Sequence, residues 1–433
     1  MKPTVPTIIM LVIILILSVV LVGTLLFLKN QPPEVRGIPQ LKEIADLEPN
    51  SAAWGENFPN QYSSFLKTET NNTRTVYGGS EPFSRLEDNP NLLILFAGYS
   101  FSKEYNEDRG HMNSVTDVRA IKRVDEKTPG TCYSCKSSNN PQLWKSMGMA
   151  EFDKMPFAEL GKQITNPIGC ANCHDASNMT LVVTNPALEE ALEAQGKDWR
   201  TFTRQEMRTI VCANCHVEYY FEGEGKYLTF PWSKGTNIDQ IYEYYQEEGF
   251  ADWTYPDAGT PIIKMQHPDY ETYSADSTHY KAGVACADCH MPYTRDGAAK
   301  YSSHDVKSPL LNAEAACGQC HTDVGYVTTR VAKIQDQVVE TMLASEDAII
   351  DAINAIKAAA ATIGVDTVKL VEARQMHRQA QAYWDFVSAE SSRGFHNPEE
   401  TLRTLAKATD LARQAQLKAV EAAGDPTILT SGN

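Results

Sequence analysis

The chain lacks any cysteine outside a Cys-x-x-Cys pair: all ten cysteines fall into five such pairs. A loop-stapling disulfide framework is thereby excluded, since it would not set every cysteine at one short spacing. A surplus of basic charge is also missing. Lys and Arg number 39 against 55 Asp and Glu, a formal net charge of −16, which disfavours nucleic-acid binding. Residues 8–28 contain no charge, and no A-x-A-like cleavage site lies between Gly23 and Pro33. From about residue 36 to 325 no long periodic run occurs, and no fixed period separates the cysteine pairs, which rules out a solenoid.

Four pairs are followed directly by histidine: Cys170-Cys173-His174, Cys212-Cys215-His216, Cys286-Cys289-His290 and Cys317-Cys320-His321. The fifth is Cys132-Cys135-Lys136. C-x-x-C-H is the attachment signature of c-type haem, each thiol forming a thioether and the imidazole lying beneath the iron. Zinc ribbons use such pairs in twos and give no reason for the adjacent histidine. A thioredoxin-like motif occurs once, beside a βαβ pattern. The reading is a cytochrome with five covalent haems, one of them different. Five large flat cofactors fill much of the interior of a 433-residue chain. The expected fold is mostly α with little sheet, a haem-packed core and long C-terminal helices.

Three regions are expected. Residues 1–30 form a membrane anchor or export signal. The apolar run at 8–28, as a helix rising ~1.5 Å per residue, just crosses a ~30 Å hydrocarbon core. With Lys2 before it the N-terminus stays inside, and the missing cleavage site favours an uncleaved anchor. Either way the rest is exported to the outer face of the cytoplasmic membrane or the periplasm, where c-type haem is attached. Residues 31–327 form the pentahaem domain. Residues 328–433 carry helical periodicity over 328–361, 366–391 and from Asn397-Pro398 to about Ala423, broken at Gly364 and Gly394. These helices are either an internal buttress or a dimerisation region.

A haem with two imidazoles passes electrons but offers no open position to a substrate. Beyond the four motif histidines the chain has His111, His267, His279, His304, His377 and His396, enough to close four haems; methionine is an alternative ligand. His377, in a helical stretch with charged neighbours, reads as a surface or interhelix residue. Lys136 can bind iron only when neutral, and burial and the positive iron both favour that form. The alternative is that a remote histidine serves this haem.

C-x-x-C-K followed by four C-x-x-C-H motifs resembles the pentahaem cytochrome c nitrite reductase family. So do Arg109-Gly110-His111 with Thr116-Asp117-Val118-Arg119, Cys212 to Phe221, and Lys264-Met265-Gln266-His267-Pro268. The resemblance covers roughly residues 55–425. It implies six-electron reduction of nitrite to ammonium at a haem c ligated by Lys136, with Arg123, Tyr219 and His267 lining the open face. Arg119 is the fallback for Arg123, because the stretch from Arg123 to Cys132 is short for the family. It implies distal ligands as follows: His111 for the Cys212/Cys215 haem, His279 for Cys317/Cys320, His304 for Cys170/Cys173 and His396 for Cys286/Cys289. It further implies one Ca²⁺ held by the Glu218 and Gln266 side chains and the Tyr219 and Lys264 carbonyls, a homodimer, and a quinol-oxidising membrane multihaem cytochrome as electron donor. In that pocket Arg123 and His267 would hold nitrite oxygens, His267 acting as general acid and Tyr219 as a further donor. Rival readings are a pure electron carrier and a reductase of hydroxylamine or sulfite.

Overall fold

Glycine, proline and asparagine interrupt the chain so often that, between residues 41 and 323, the longest helix has 10 residues (Ile238–Glu247). The computed structural model describes residues 5–29, 41–107 and 109–426. The helices that matter below are α1 (Val5–Lys29), α2 (Ser114–Ala120), α3 (Arg204–Ile210), α4 (Ile238–Glu247), α5 (Asp269–Ser274), α6 (Cys286–His290), α7 (Val324–Ala360), α8 (Thr367–Ala389) and α9 (Pro398–Ala423). Strands occur only as three antiparallel pairs among the described residues: β1 (Tyr220–Glu222) with β2 (Tyr227–Thr229), β3 (Trp253–Thr254) with β4 (Pro261–Ile262), and β5 (Tyr293–Asp296) with β6 (Ala299–Ser302). The fold is mostly helical with little sheet, as expected.

The three long helices begin where their caps dictate. Asp323 accepts from the Tyr326 amide, Asp366 from those of Val368 and Lys369, and Asn397 from that of Glu400 with Pro398 in the first turn. Helix α7 thus starts at Val324, four residues before its expected start at 328, because Asp323 supplies the cap. Gly424 at φ 65° closes α9. Alanine forms the seams: Ala352, Ala355 and Ala359 of α7, Ala373 and Ala380 of α8, and Ala408, Ala412, Ala415 and Ala419 of α9 are all buried. Small side chains let the axes approach closely.

One apolar core joins these helices to residues 92–105 and to the 238–265 segment, with Phe96, Tyr245, Ile262, Met265 and Trp384 at its centre. The long helices therefore buttress the stretch leading into Lys264–Pro268. A second core, around Tyr133, Phe152, Leu188 and Trp232, lies under the Cys132 and Cys212 motifs, and a small third, around Trp54 and Phe58, under the Cys170 motif. Helix α1 has 25 residues, of which side chains are described only at Met10 and 13–24. Among the described residues no helix is long and apolar enough to cross a membrane.

Candidate functional site

Each cysteine motif sits on a short helical turn, and the geometry of that turn places the following residue. The amides of His174, His216 and His321 bond to the carbonyls of Cys170, Cys212 and Cys317 at 3.0, 2.9 and 2.9 Å. A residue four places along a helical turn lies over the first, so imidazole and first thiol share a face. All ten cysteines are unpaired. Burial pushes the thiols of Cys132 and Cys289 up to about 11 and that of Cys173 up to about 12, which makes them inert as free nucleophiles. Among the described residues no cysteine joins a cluster with metal-binding geometry.

Asparagines inside the motifs stitch them together. Asn172 donates to Ser137 O at 2.9 Å, and Asn214 to Asn172 O at 3.3 Å, while its own oxygen receives the amides of Thr184 and Asn185. Thiols of successive motifs touch: Cys135 lies against Cys215, and Cys212 against Cys286. The Cys289 thiol also feels those of Cys317 and Cys320, and the Cys173 thiol that of Cys212. The motifs thus run from Cys132/Cys135 through Cys212/Cys215 and Cys286/Cys289 to Cys317/Cys320, with Cys170/Cys173 branching at the second.

The histidines face one another in pairs. Ring centroids lie 6.2 Å apart for His174–His304, 6.4 Å for His279–His321 and 6.2 Å for His290–His396. An iron between two imidazoles sits ~2.0 Å from each nitrogen, with the ring centre ~1.1 Å beyond, so the expected centroid spacing is ~6.2 Å. The gaps fit a haem iron. His111 stands near His216: burial first, then the His216 and Lys136 charges, hold it down to about 4. Burial likewise holds His290 and His304 down to about 4 and lowers His174 and His279. These imidazoles are neutral at pH 7 and keep the lone pair a metal requires. His111 is presented by a close approach: a methyl group on Gly110 would meet the Thr68 carbonyl oxygen at 2.3 Å.

The unused ring nitrogen is hydrogen-bonded in four of them and ion-paired in a fifth. His174, His290 and His304 donate Nδ1–H to the carbonyls of Met179, Lys307 and Ser302 at 3.0, 3.1 and 2.9 Å. His216 Nδ1 is 2.9 Å from an Asp269 carboxylate oxygen, and His396 Nδ1 is 2.5 Å from one of Glu390. This fixes the tautomer that leaves Nε2 for iron. Asp269 and Glu390 were not legible as partners in the sequence; the only signal is an acid two residues past His267 and another six before His396. His377 behaves differently. Both its nitrogens are bonded, to Thr260 Oγ1 and Gln381 Oε1, and it is fully buried. It is a core histidine that ties α8 to the 255–260 loop, and the surface alternative is wrong because α8 turns this face into the core.

Around Cys132 and Cys135 the arrangement changes. No histidine follows, and Lys136 is half-buried with its carbonyl accepting from Ser114 Oγ at 2.8 Å. The Tyr219 phenol is raised well above its ordinary range, by burial first and then by the Cys135 and Cys132 thiols, with Arg123 opposing; it is a neutral donor at pH 7. The Arg123 guanidinium also bears on Cys132 and lies 3.9 Å above the Phe101 ring, with its buried Nε unbonded. Arg119 is committed elsewhere: it donates to Tyr133 Oη, Gly161 O and Ile164 O at 3.1, 2.6 and 2.8 Å. It is structural, and the fallback for Arg123 fails on that geometry. His267 follows by backbone pairing, its amide bonded to Val217 O at 3.3 Å, which sets the 264–268 segment alongside 217–219.

The same pairing gathers the expected calcium donors. Glu218, fully buried, accepts from Tyr245 Oη at 2.8 Å and from the Gln266 amide at 2.6 Å, while Gln266 Nε2 donates to Lys264 O at 3.1 Å. Burial raises Glu218 well above its usual range and pushes the equally buried Glu271 up to about 8. Glu271 Oε2 has no hydrogen-bond partner. Two buried acids beside carbonyl oxygens are a hard donor set that a divalent cation such as Ca²⁺ would stabilise. The Lys264 ammonium points away, to Asp385.

Comparison with known proteins follows this geometry. Residues 50–431 match the cytochrome c552 family. The chain is 42% identical over 390 residues to cytochrome c-552 of Parabacteroides distasonis, covering 87% of this chain and 77% of that one. It is 38% identical over 416 residues to the cytochrome c nitrite reductase subunit NrfA of Nitratidesulfovibrio vulgaris, covering 87% and 79%. The structure superposes with a TM-score of 0.86 on the catalytic subunit (NrfA) of cytochrome c nitrite reductase from Desulfovibrio desulfuricans, at 36% identity and 90% coverage of each chain. That protein is described as having two calcium sites.

Proposed function

The chain belongs to the cytochrome c552 family, and from that premise we propose that it is an ammonia-forming cytochrome c nitrite reductase. The observation that carries the reading is an asymmetry. Three motif histidines each face a second imidazole and the fourth, His216, has His111 near it, whereas Cys132/Cys135 has Lys136 on one side and Arg123 and Tyr219 gathered near it. Five covalent haems would be held by the ten cysteines; the four imidazole pairs close four of them. Lys136 would hold the iron of the fifth, which when bound would supply electrons to the substrate.

The chain's own residues do the rest. Nitrite takes up six electrons and eight protons to give ammonium and two waters. Arg123 is a fixed cation whose unbonded Nε–H can receive a nitrite oxygen; its stacking on Phe101 orients the guanidinium. His267 binds the second oxygen and serves as a proton donor to the departing oxygens. Tyr219 stays protonated and donates a hydrogen bond. Glu218, Gln266 and the Tyr219 and Lys264 carbonyls would hold Ca²⁺, which would add fixed positive charge beside the 217–219 and 264–268 segments.

Residues 31–327 are the catalytic domain, and 328–433 supply His396 and a homodimer interface. The protein works outside the cytoplasm, tethered by residues 8–28, and takes electrons from a membrane quinol-oxidising multihaem cytochrome. The test is a reduced-dye assay on protein whose haem has been counted, with ammonium quantified. Ammonium in a one-to-one ratio with consumed nitrite is expected. Dye oxidation without ammonium would leave an electron carrier, and a higher kcat/KM for hydroxylamine or sulfite would reassign the substrate.

A further inference from the structure

Two of the imidazoles differ from the rest in what their outer nitrogen meets. His174 and His304, paired across one iron position, both donate to neutral backbone carbonyls. His216 instead meets Asp269, and His396 meets Glu390. These belong to adjacent motifs, Cys212/Cys215 and Cys286/Cys289, whose thiols touch. The carboxylates are built in. Asp269 is also held by the Ser391 amide at 2.7 Å and Ser391 Oγ at 3.1 Å. Glu390 receives the Ser392 amide and hydroxyl, both at 2.9 Å, and the Gly394 amide at 3.1 Å. Both acids are at least nine-tenths buried. Arg393 at φ 53° and Gly394 at φ 82° bend the 390–396 loop so that Glu390 and His396 meet.

We propose that Asp269 and Glu390 set the electron affinity of the two neighbouring haems at Cys212/Cys215 and Cys286/Cys289, holding both below the haem at Cys170/Cys173. The physical reason is the ligand's basicity. Asp269, hydrogen-bonded to His216 Nδ1, pushes electron density through the ring to Nε2, and Glu390, ion-paired with His396, adds a buried negative charge one imidazole away from the metal. Both effects stabilise the oxidised iron. A carbonyl acceptor adds no net charge. One electron enters each haem with no bond made or broken, and the Nδ1 proton stays on its ring. Asp269 and Glu390 are positioning residues: Asp269 bears first on His216 and more weakly on His396, and Glu390 bears on His396.

The inference rests on the haem-ligand assignment above. The experiment is a spectroelectrochemical titration of the haem-loaded full chain, wild type against Asp269→Asn and Glu390→Gln, with low-spin electron paramagnetic resonance to identify the haem that moves. Each variant keeps an acceptor oxygen but removes the charge. In each, one midpoint potential is expected to rise by at least a tenfold change in the oxidised-to-reduced ratio, ~59 mV for one electron. The Cys170/Cys173 haem stays put, and Asp269→Glu restores the wild-type value. If Asp269→Asn fails to incorporate haem, Glu390→Gln decides alone. Unchanged potentials, or an equal shift of all five, would overturn the proposal. Failure of the ligand assignment would look different: fewer than four low-spin haems in the unmodified protein.

Discussion

Replacing Asp385 by leucine tests how the long helices hold the substrate pocket. Lys264 and Asp385 form an ion pair at 3.0 Å, with side chains 1% and 0% exposed. At an effective dielectric of ~20, unit charges at that distance attract by about 5 kcal/mol. Burial pushes Asp385 up and Lys264 pulls it back, with the upward effect prevailing, so the desolvation cost is not fully recovered. Removing Asp385 strands a buried ammonium and frees the Met265 amide, which donates to Asp385 at 2.8 Å. The rings of Phe96, Phe101 and Tyr105 stand 5.0–5.3 Å from Lys264 Nζ and soften the loss. We expect Asp385→Leu to cost ~3–5 kcal/mol in denaturant unfolding. The double variant Lys264→Met with Asp385→Leu should recover to within ~1–2 kcal/mol of wild type, since apolar replacements of buried pairs are tolerated. Because Gln266 and His267 follow Lys264, the single variant should also raise KM for nitrite, and the double should restore it. A single variant within ~1 kcal/mol of wild type, or a double no better than the single, would refute the reasoning.

Other substitutions separate structural from chemical roles. Arg119→Leu removes three hydrogen bonds and should cost ~2–4 kcal/mol of stability. Arg123→Leu should instead lower kcat/KM for nitrite and leave the unfolding midpoint nearly unmoved; the reverse pattern would exchange their assignments. His267→Asn should cut nitrite turnover by orders of magnitude with all five haems attached, and near-normal turnover would remove it from the pocket. Burial pushes the fully buried Asp153 up to about 7 from 3.8. The unfolded chain loses that proton near pH 4 and the folded chain only near 7, so stability falls across this window and stays low above it. Asp153→Asn should therefore match wild type at pH 4 and exceed it by up to ~4 kcal/mol at pH 8, read by urea unfolding. A pH-independent difference would contradict this.

What the sequence disclosed follows from range. The haem motifs are local and covalent, so all five were legible, as were the three long helices, whose caps and periodicity lie within one segment. His377 was half-read because its burial depends on Thr260, 117 residues away. Asp269 reaches His216 over 53 residues and Asp385 reaches Lys264 over 121, distances at which no spacing rule operates. Arg123 was the expected pocket cation and Arg119 its fallback, four residues apart in the sequence. Only the carbonyls of Gly161 and Ile164, brought against Arg119 by the turn after residue 160, tell them apart.

The central claim is that one haem of five keeps an open face because Lys136 holds its iron from one side while Arg123 and Tyr219, and not a second imidazole, face the other. Electron paramagnetic resonance of the oxidised, haem-counted protein, with and without nitrite, tests it most directly. Four low-spin centres and one high-spin centre that shifts on adding nitrite are expected, the high-spin signal being altered in Lys136→His. Five low-spin centres indifferent to nitrite would contradict the account.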